Sequence, residues 1–215
     1  MALLEVRQLE AGYGRARILF DVSLQVAAGE VVLLAGRNGA GKSTTLKAIM
    51  GLIERSGEIR CNGERVERLE PFEIARRGIG YVPEERRIFT ELSVAENLEV
   101  GRRTPRAGVP AWEERAVFAL FPKLATMKDR PAAHMSGGEQ KMLAIARTLM
   151  GNPLLVLLDE PSEGLAPLVV QQMADAIAEL KRAGLAVLVC EQNAKFAGRI
   201  VDRSYFIEKG RVRPS

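Results

Sequence analysis

Histidine and cysteine are scarce in this sequence of 215 residues. His134 is the only histidine, so no other imidazole can exchange a proton near neutral pH, and we expect His134 itself to be a solvated loop residue. The two cysteines, Cys61 and Cys190, cannot form a disulfide framework of the kind found in small secreted domains. A reducing compartment such as the cytosol is therefore the expected environment.

Long hydrophobic runs are also missing. Apolar stretches such as residues 154–158 fall far short of the roughly 20 residues that a helix needs to cross a bilayer. Residues 1–7, MALLEVR, have no basic segment ahead of an apolar stretch, so they are expected to start a strand rather than act as a secretion signal. With 47% hydrophobic and 27% charged residues, the composition is typical of a soluble globular domain.

Aromatic residues make up only 5% of the chain, and this affects how its positive charge is interpreted. The net charge is +4 and the pI is about 9.3, with arginine pairs at 76–77, 86–87 and 102–103. No aromatic side chains alternate with these pairs to stack on bases. We therefore favour solvated faces over a nucleic-acid or membrane surface, and no nucleic-acid partner is expected.

The order of the predicted elements indicates an α/β fold. Strands are predicted at 3–6, 18–26, 31–35, 57–61, 79–82, 154–158, 186–190 and 203–207, and helices at 42–50, 94–101, 112–121, 138–150, 168–181 and 194–200. Strands that alternate with helices imply a parallel sheet. We predict one domain, 1–215, in which 1–83 and 151–215 form the core and a helical arm, about 84–150, is inserted.

The strongest motif is the P-loop, residues 36–44, which reads GRNGAGKST between a predicted strand and a predicted helix. Its glycines allow backbone N–H groups to surround phosphates, and the helix N-terminus adds a positive dipole. Lys42 would neutralise the β- and γ-phosphates, and Ser43 would bind Mg²⁺. A chance glycine-rich turn would not explain this context. The predicted nucleotide contacts are Gly36, Asn38, Gly39, Ala40, Gly41, Lys42, Ser43 and Thr44.

An acidic pair follows the apolar stretch 154–158, where a P-loop enzyme needs a metal partner at the end of a neighbouring strand. Asp159 would hold Mg²⁺ through water, and Glu160 would polarise the attacking water as a general base. Such a pair is also a common strand terminus. Together with the P-loop, it points to phosphoryl transfer.

The signature segment, residues 135–141, reads MSGGEQK and leads into a predicted helix. Ser136 is suited to the N-cap, and Gly137 and Gly138 let the backbone approach an anion closely. Together with the P-loop, the helical insertion and the acidic pair, this segment makes the whole chain resemble the ATP-binding-cassette (ABC) ATPases. The resemblance implies a P-loop NTPase core with a mostly parallel sheet, an N-terminal antiparallel β subdomain and an inserted α-helical signature subdomain.

The resemblance also implies partners. In that family two cassettes form a head-to-tail dimer, and each ATP lies between one P-loop and the signature of the other subunit. Ser136, Gly137 and Gly138 would then contact the γ-phosphate held by a partner cassette, either a second copy or a sister ATPase. Tyr13 would stack on adenine, the alternative being an ordinary turn aromatic. The pair would lie on the cytoplasmic face of the inner membrane, bound to separate permease subunits. A solute-binding protein would deliver the solute to that permease.

Three positions depart from the usual family pattern. Glu84 replaces a glutamine; its carboxylate can still bind Mg²⁺, but its charge beside a phosphate is favourable only while the metal is present. Ala166 replaces an aspartate, so this loop is not expected to make the usual contact across the dimer through a carboxylate. Gln192 replaces the switch histidine, and it can donate a hydrogen bond to the γ-phosphate but cannot exchange a proton near neutral pH.

At these positions the sequence resembles the ATPase subunits of branched-chain amino-acid importers. The strings that carry this likeness are YVPEERRIF at 81–89, GLAP at 164–167 and EQNA at 191–194. The resemblance implies ATP hydrolysis that powers solute uptake, with a permease contact around 84–97. The implied catalytic residues are Glu160, Lys42 and Gln192, and the implied metal ligands are Ser43, Glu84 and Asp159.

Two alternatives remain open from the sequence. A regulatory or degenerate cassette with little hydrolysis would be consistent with Gln192 and Ala166, although the P-loop and the acidic pair are intact. A soluble cassette that acts on nucleic acid or ribosomes usually has two cassettes in tandem or a long coiled-coil insertion, and this sequence has neither. The sequence does not indicate which solute is carried.

Overall fold

The computed structural model describes residues 2–106 and 111–214. The strands are β1 Ala2–Tyr13, β2 Ala16–Ala27, β3 Val31–Ala35, β4 Arg55–Cys61, β5 Glu64–Arg65, β6 Ile79–Val82, β7 Leu155–Asp159, β8 Ala186–Glu191, β9 Arg203–Glu208 and β10 Arg211–Pro214. The helices are α1 Lys42–Ile49, α2 Pro71–Arg76, α3 Val94–Gly101, α4 Glu114–Leu120, α5 Pro122–Ala125, α6 Gly137–Leu149, α7 Pro167–Arg182 and α8 Ala194–Ala197, with a 3₁₀ turn at Ala132–His134.

The strands form two sheets. The larger sheet has the order β10-β9-β3-β8-β7-β6 and is parallel from β9 to β6, while β10 pairs antiparallel with β9. The smaller sheet has the order β2-β1-β4-β5 and is antiparallel. The predicted α/β fold class, with a mostly parallel sheet and an N-terminal antiparallel sheet, is therefore confirmed.

The central strands of the larger sheet are covered on both faces. Every residue of β7 and β8 is buried, as expected for parallel strands that have helices on both sides. Alternate side chains enter two different cores. Val156 and Leu158 pack on the side of α6 and α7, whereas Leu155 and Leu157 pack on the side of α1 and the smaller sheet.

The register of the parallel sheet brings the C-terminal ends of four strands to one edge. Ala35 at the end of β3 pairs with Glu191 at the end of β8, and Asp159 at the end of β7 pairs with Cys190. Val82, which ends β6, pairs with Leu158. This is the edge where ligands bind in open α/β sheets.

The helical stretch between β6 and β7 contains α3, α4, α5 and α6, where the sequence predicts an inserted arm. Trp112 and Phe118 are partly buried and pack against the core on the α6 side. His134 is exposed at the end of the 3₁₀ turn, as expected. Residues 107–110 of the predicted arm lie outside the described residues, and the division of the chain into core and arm stays a prediction.

The first strand is longer than predicted. The sequence predicts a strand at 3–6, but β1 continues to Tyr13. Irregular pairing with β2 and the left-handed backbone of Gln8 (φ 51°) interrupt the polar–apolar alternation that marks a strand. This interruption explains why residues 7–13 were not recognised as part of β1.

Short elements account for the other differences. The sequence predicts neither β5, α2, α5 nor β10, and it extends α8 to residue 200 rather than Ala197. Helix α2 has only six residues and depends on a capping box between Glu70 and Glu73. Strand β10 forms through a tight turn at Lys209 and Gly210, both with positive φ. No helix among the described residues is long and apolar enough to cross a membrane.

Candidate functional site

The P-loop connects the end of β3 to the start of α1. Gly39 and Gly41 have φ values of 77° and 115°, a region that favours glycine. Gly41 caps α1, with no side-chain cap and no acidic residue in the first turn. The first N–H groups of a helix have no partner within the helix, so this end suits an anion such as a phosphate.

Lys42 is buried at the start of α1 with its ammonium inside the P-loop. Its Nζ donates hydrogen bonds to the carbonyl oxygens of Gly36 (2.9 Å) and Arg37 (3.2 Å). It also forms a buried ion pair with Glu160 Oε1 at 3.0 Å. These contacts place the positive charge within the loop that would hold the phosphates.

Ser43 and Asp159 form the part of the site that fits a magnesium ion. Ser43 Oγ donates to Asp159 Oδ1 at 2.9 Å, and the Tyr81 hydroxyl donates to Asp159 Oδ2 at 3.3 Å. Burial raises the pKa of the Asp159 carboxyl, while the hydrogen bonds from Ser43 and Tyr81 lower it. Hydroxyl and carboxylate oxygens are the ligands that Mg²⁺ prefers, so these two residues fit the ion.

Glu84 lies just beyond the end of β6 and is exposed. Its backbone carbonyl accepts a hydrogen bond from Lys141 Nζ at 3.1 Å. Burial is the main cause of the raised pKa of Asp159, and the negative charge of Glu84 adds to it. Among the described residues, no three His, Cys, Asp or Glu side chains converge on a metal position. The role of Glu84 as a ligand therefore stays a prediction.

Glu160 is buried directly after β7 and has an unusual backbone. Its φ of 44° is left-handed, which is uncommon for a residue other than glycine, and its N–H donates to the Cys190 carbonyl at 3.0 Å. One carboxylate oxygen faces Lys42, and the other accepts a hydrogen bond from Gln192 Nε2 at 3.3 Å. The backbone thus aims this carboxylate at the P-loop.

Gln192 lies between Glu160 and the P-loop. Its side-chain amide donates to Glu160 Oε2 and also to the Asn38 side-chain oxygen. The structure therefore brings together residues from three separate parts of the sequence: Asn38, Glu160 and Gln192. Their predicted roles toward a nucleotide are not tested by this geometry.

The signature segment lies at the start of α6. Ser136 is the N-cap, as predicted: its Oγ accepts from the Glu139 N–H at 3.4 Å, and Glu139 accepts from the Ser136 N–H at 2.8 Å. Ser136 is exposed, whereas Gly138 is packed so closely that an added Cβ would lie 2.8 Å from Val169. No described hydrogen bond connects the signature segment to the P-loop of the same chain.

Tyr13 and Ala166 occupy surface positions. Tyr13 ends β1, and 47% of its surface is exposed, so its face is available for stacking. Ala166 is the exposed N-cap of α7 and supplies no side-chain hydrogen bond there. The stacking role of Tyr13 stays a prediction.

Lys141 is a residue of the site that the sequence reasoning missed. Its buried Nζ donates to the carbonyl oxygens of Pro83 (3.4 Å), Glu84 (3.1 Å) and Asp159 (3.2 Å). Burial lowers the pKa of its ammonium group. Lys141 therefore ties the helix of the signature segment to the ends of β6 and β7. Its spacing of four residues from the buried Ile145 was the signal that it faces inward.

Glu191 and Ser162 form a second buried polar contact that the sequence did not indicate. Ser162 Oγ donates to Glu191 Oε1, and the Gln192 N–H donates to Glu191 Oε2 at 3.1 Å. Burial raises the pKa of the Glu191 carboxyl, while the hydrogen bonds from Ser162 and Gln192 lower it. The sequence offers a weak signal, because Glu191 continues a strand whose other residues are all apolar.

Residues 19–163 match the family described as "ABC transporter", which is more than half of the chain. The chain therefore belongs to the ABC transporter family, and its fold and P-loop are those of an ATP-binding cassette. The predicted family, fold class and ATPase activity are confirmed.

Similar proteins support the same assignment. The chain is 44% identical over 98% of its length, and 91% of the relative's, to the high-affinity branched-chain amino acid transport ATP-binding protein BraG of Pseudomonas aeruginosa. It is 36% identical over 99% of its length, and 89% of the relative's, to the lipopolysaccharide export system ATP-binding protein LptB of Escherichia coli K12. A solved dimeric ATP-binding cassette in a post-hydrolysis state, bound to ADP and phosphate, matches with a TM-score of 0.82 and 25% identity over 98% of this chain and 96% of that one.

Proposed function

We propose that this chain is the Mg²⁺-dependent ATPase subunit of a branched-chain amino-acid importer. It would work in a head-to-tail pair on the cytoplasmic face of the membrane, bound to separate permease subunits. The observation that carries the hydrolytic part is the convergence of Lys42, Asp159 and Glu160 at one sheet edge. The 44% identity to BraG over 98% of the chain supports the choice of solute and of import.

The catalytic proposal assigns one task to each side chain. Lys42 would bind the β- and γ-phosphates, while Ser43 and Asp159 would hold Mg²⁺, which supplies positive charge to the phosphate oxygens when bound. Glu160 would accept a proton from the attacking water. Gln192 would donate one amide hydrogen to the γ-phosphate in place of its contact with Asn38, and it would keep the other on the Glu160 carboxylate, to which it is already hydrogen-bonded.

The paired arrangement is supported by the position of the signature segment. Ser136 is exposed at the N-terminus of α6, and its described contacts are to Glu139 rather than to the P-loop. A helix N-terminus that begins with two glycines suits a phosphate held by a second subunit. The dimeric cassette that matches this fold is consistent with such a pair.

A groove beside β6 suits the permease. It has a volume of about 750 Å³ and lies between α2, the end of α3 and the end of α6. Exposed apolar side chains at its rim include Phe72, Phe89 and Val100. The charged residues that line it are Arg76, Arg87, Arg103, Arg106 and Arg147, and no acidic residue is among its described lining.

Charge complementarity favours an amphipathic permease segment with carboxylates in this groove. Arg147 also lines the groove: its guanidinium lies over the Phe89 ring, 5.0 Å from the centroid, and its Nη2 donates to the Arg87 carbonyl at 2.6 Å. The groove overlaps the contact region predicted at 84–97 only at Arg87 and Phe89. Its remaining lining extends that contact to α2 and α6.

Reversing one exposed charge in the groove tests both the surface and the function. With the permease present, Arg76→Glu should reduce permease-stimulated ATP turnover at least about tenfold, because a glutamate would repel an acidic docking segment. Turnover by the isolated chain should stay unchanged. Arg115→Glu, on the exposed face of α4 and outside the groove, is the matched control. Full stimulation of the Arg76 variant would contradict docking here, and no stimulation of the unaltered chain would contradict the proposed function.

The lack of a titratable group at position 192 predicts the pH dependence of turnover. Gln192→His should add an inflection near the usual imidazole pKa of about 6.5, so the ratio of variant to unaltered turnover should change across this range. Steady-state turnover at saturating ATP measures this ratio, with His134→Gln as the control that removes the chain's own imidazole. Parallel profiles for the Gln192 variant and the unaltered chain would show that residue 192 does not face the reacting phosphate.

A second candidate is an exporter ATPase. The 36% identity to LptB, whose name assigns it to a lipopolysaccharide export system, is the observation that favours it. The direction of transport separates the two candidates. We favour import because the identity to BraG is higher, 44% against 36%, over nearly the same share of the chain, 98% against 99%.

A further inference from the structure

The proposed mechanism leaves one buried carboxyl beside the site without a task. Glu191 is the last residue of β8, and its surface is only 3% exposed. It lies one residue before Gln192 and next to Ala35, the last residue of β3, in the parallel sheet. A carboxyl is costly to bury unless its oxygens are hydrogen-bonded, so its partners indicate what it does.

The two oxygens of Glu191 bind two different loops. Oε1 accepts the hydroxyl hydrogen of Ser162, which lies two residues after Glu160. Oε2 accepts the backbone N–H of Gln192 at 3.1 Å. One buried side chain thus connects the loop that carries the proposed base with the loop that carries the proposed phosphate ligand.

We infer that Glu191 is a positioning residue that holds Glu160 and Gln192 in register for ATP hydrolysis. The inference rests on the proposed catalytic roles of those two residues. Glu160 and Gln192 already meet through a hydrogen bond of 3.3 Å, and Glu160 Oε1 meets Lys42 at 3.0 Å. Glu191 has no described side-chain contact with the P-loop, so it acts through its neighbours.

The other backbone contacts of these two loops do not replace the connection through Glu191. The N–H of Glu160 donates to the Cys190 carbonyl, which fixes the start of its loop, and the left-handed backbone of Glu160 turns the chain sharply there. Ser162, two residues later, is held to β8 through Glu191. Gln192 and Asn193 follow β8 on the exposed surface, where the Glu191 contact is the described bond that fixes the Gln192 N–H. Losing it would remove the restraint that the two loops share and allow them to shift relative to each other, and a misplacement of about 1 Å can cost about a hundredfold in rate.

The test uses three variants of the full chain. Glu191→Met removes both acceptors but fills a similar volume with an apolar side chain. Glu191→Gln keeps both contacts, because its oxygen can accept from Gln192 while its amide donates to the Ser162 hydroxyl, which can turn to accept. Ser162→Ala removes one contact with the smallest change in packing. Glu208→Gln, at the exposed end of β9, which β3 separates from β8 in the sheet, is the matched control.

ATP turnover, equilibrium binding of a fluorescent ATP analogue and thermal unfolding are measured for each variant. We expect Glu191→Met to lower kcat about 10- to 100-fold with nucleotide affinity and KM changed less than about threefold. Glu191→Gln should keep kcat within about threefold of the unaltered chain. Ser162→Ala should lower kcat severalfold, and adding it to Glu191→Met should cause little further loss because both remove the same link.

Three results would overturn the inference. Unaltered kcat in Glu191→Met and Ser162→Ala would show that the link is not needed. Equal loss in Glu191→Gln and Glu191→Met would show that the charge or proton of Glu191 matters rather than its hydrogen bonds. If Glu191→Met fails to fold, an unaltered kcat in Ser162→Ala alone would still overturn it. Inactivity of the unaltered chain and Glu208→Gln alike would instead be a failure of the proposed function.

Discussion

Glu160→Gln is expected to lower ATP turnover by about a thousandfold while leaving ATP bound. A positioned general base contributes on the order of 10²- to 10⁴-fold, and the amide that replaces it cannot accept the proton of the attacking water. The side-chain shape is retained, so the contacts of Glu160 with Lys42 and Gln192 are changed in charge rather than in packing. Steady-state phosphate release at saturating ATP measures the loss.

The same substitution should make an ATP-bound pair of chains accumulate. Removing a buried negative charge from the phosphate site lowers repulsion of the nucleotide, and blocked hydrolysis keeps ATP in place. Size-exclusion chromatography with and without ATP should show a dimer only with ATP, and the unaltered chain and Glu208→Gln serve as controls. Glu160→Gln that hydrolyses ATP at the normal rate would show that another group is the base.

Lys42→Met should abolish turnover and weaken ATP binding about 10- to 100-fold. A hydrogen bond to a charged group contributes about 1.5–3 kcal/mol, and the ammonium of Lys42 is buried inside the P-loop, whereas Arg37 of the same loop is exposed. Methionine keeps the apolar stem in its buried position. Equilibrium binding of a fluorescent ATP analogue measures the change, and affinity equal to that of the unaltered chain would contradict the proposed role.

The ion pair between Lys42 and Glu160 also predicts how the stability of the variants will differ. Lys42→Met leaves the buried Glu160 carboxylate without its cation, which destabilises the chain, whereas Lys42→Met with Glu160→Gln removes both charges. Thermal unfolding without nucleotide should therefore show the double variant to be more stable than Lys42→Met alone. Neither variant should hydrolyse ATP. The opposite order of stability would mean that the two side chains do not form the pair in solution.

Local patterns were sufficient to predict the edge of the sheet that forms the site. The P-loop follows an apolar strand, and Asp159 and Glu160 end another, so their meeting follows once the strands are parallel. Gln192 directly follows the end of β8, and there its side chain contacts Glu160. Each of these predictions depends on residues that are close in sequence to a strand end.

Contacts that depend on the reach of a side chain were not predictable in the same way. Lys141 lies on a helix, and the three carbonyl groups to which it donates belong to residues 58, 57 and 18 positions away in the chain. Glu191 faces Ser162 only because β7 and β8 are neighbours in the sheet. Helical spacing or a break in an apolar strand indicates that such a residue is buried, but it does not name its partner.

Uptake of labelled leucine into vesicles that contain the permease tests the central claim most directly. The ATPase faces the lumen with enclosed ATP and Mg²⁺, and the solute-binding protein and leucine are outside. If this chain drives branched-chain amino-acid import, leucine will accumulate in the lumen with the unaltered chain and not with Glu160→Gln. ATP hydrolysis without accumulation of leucine, or accumulation that persists with Glu160→Gln, would contradict the account.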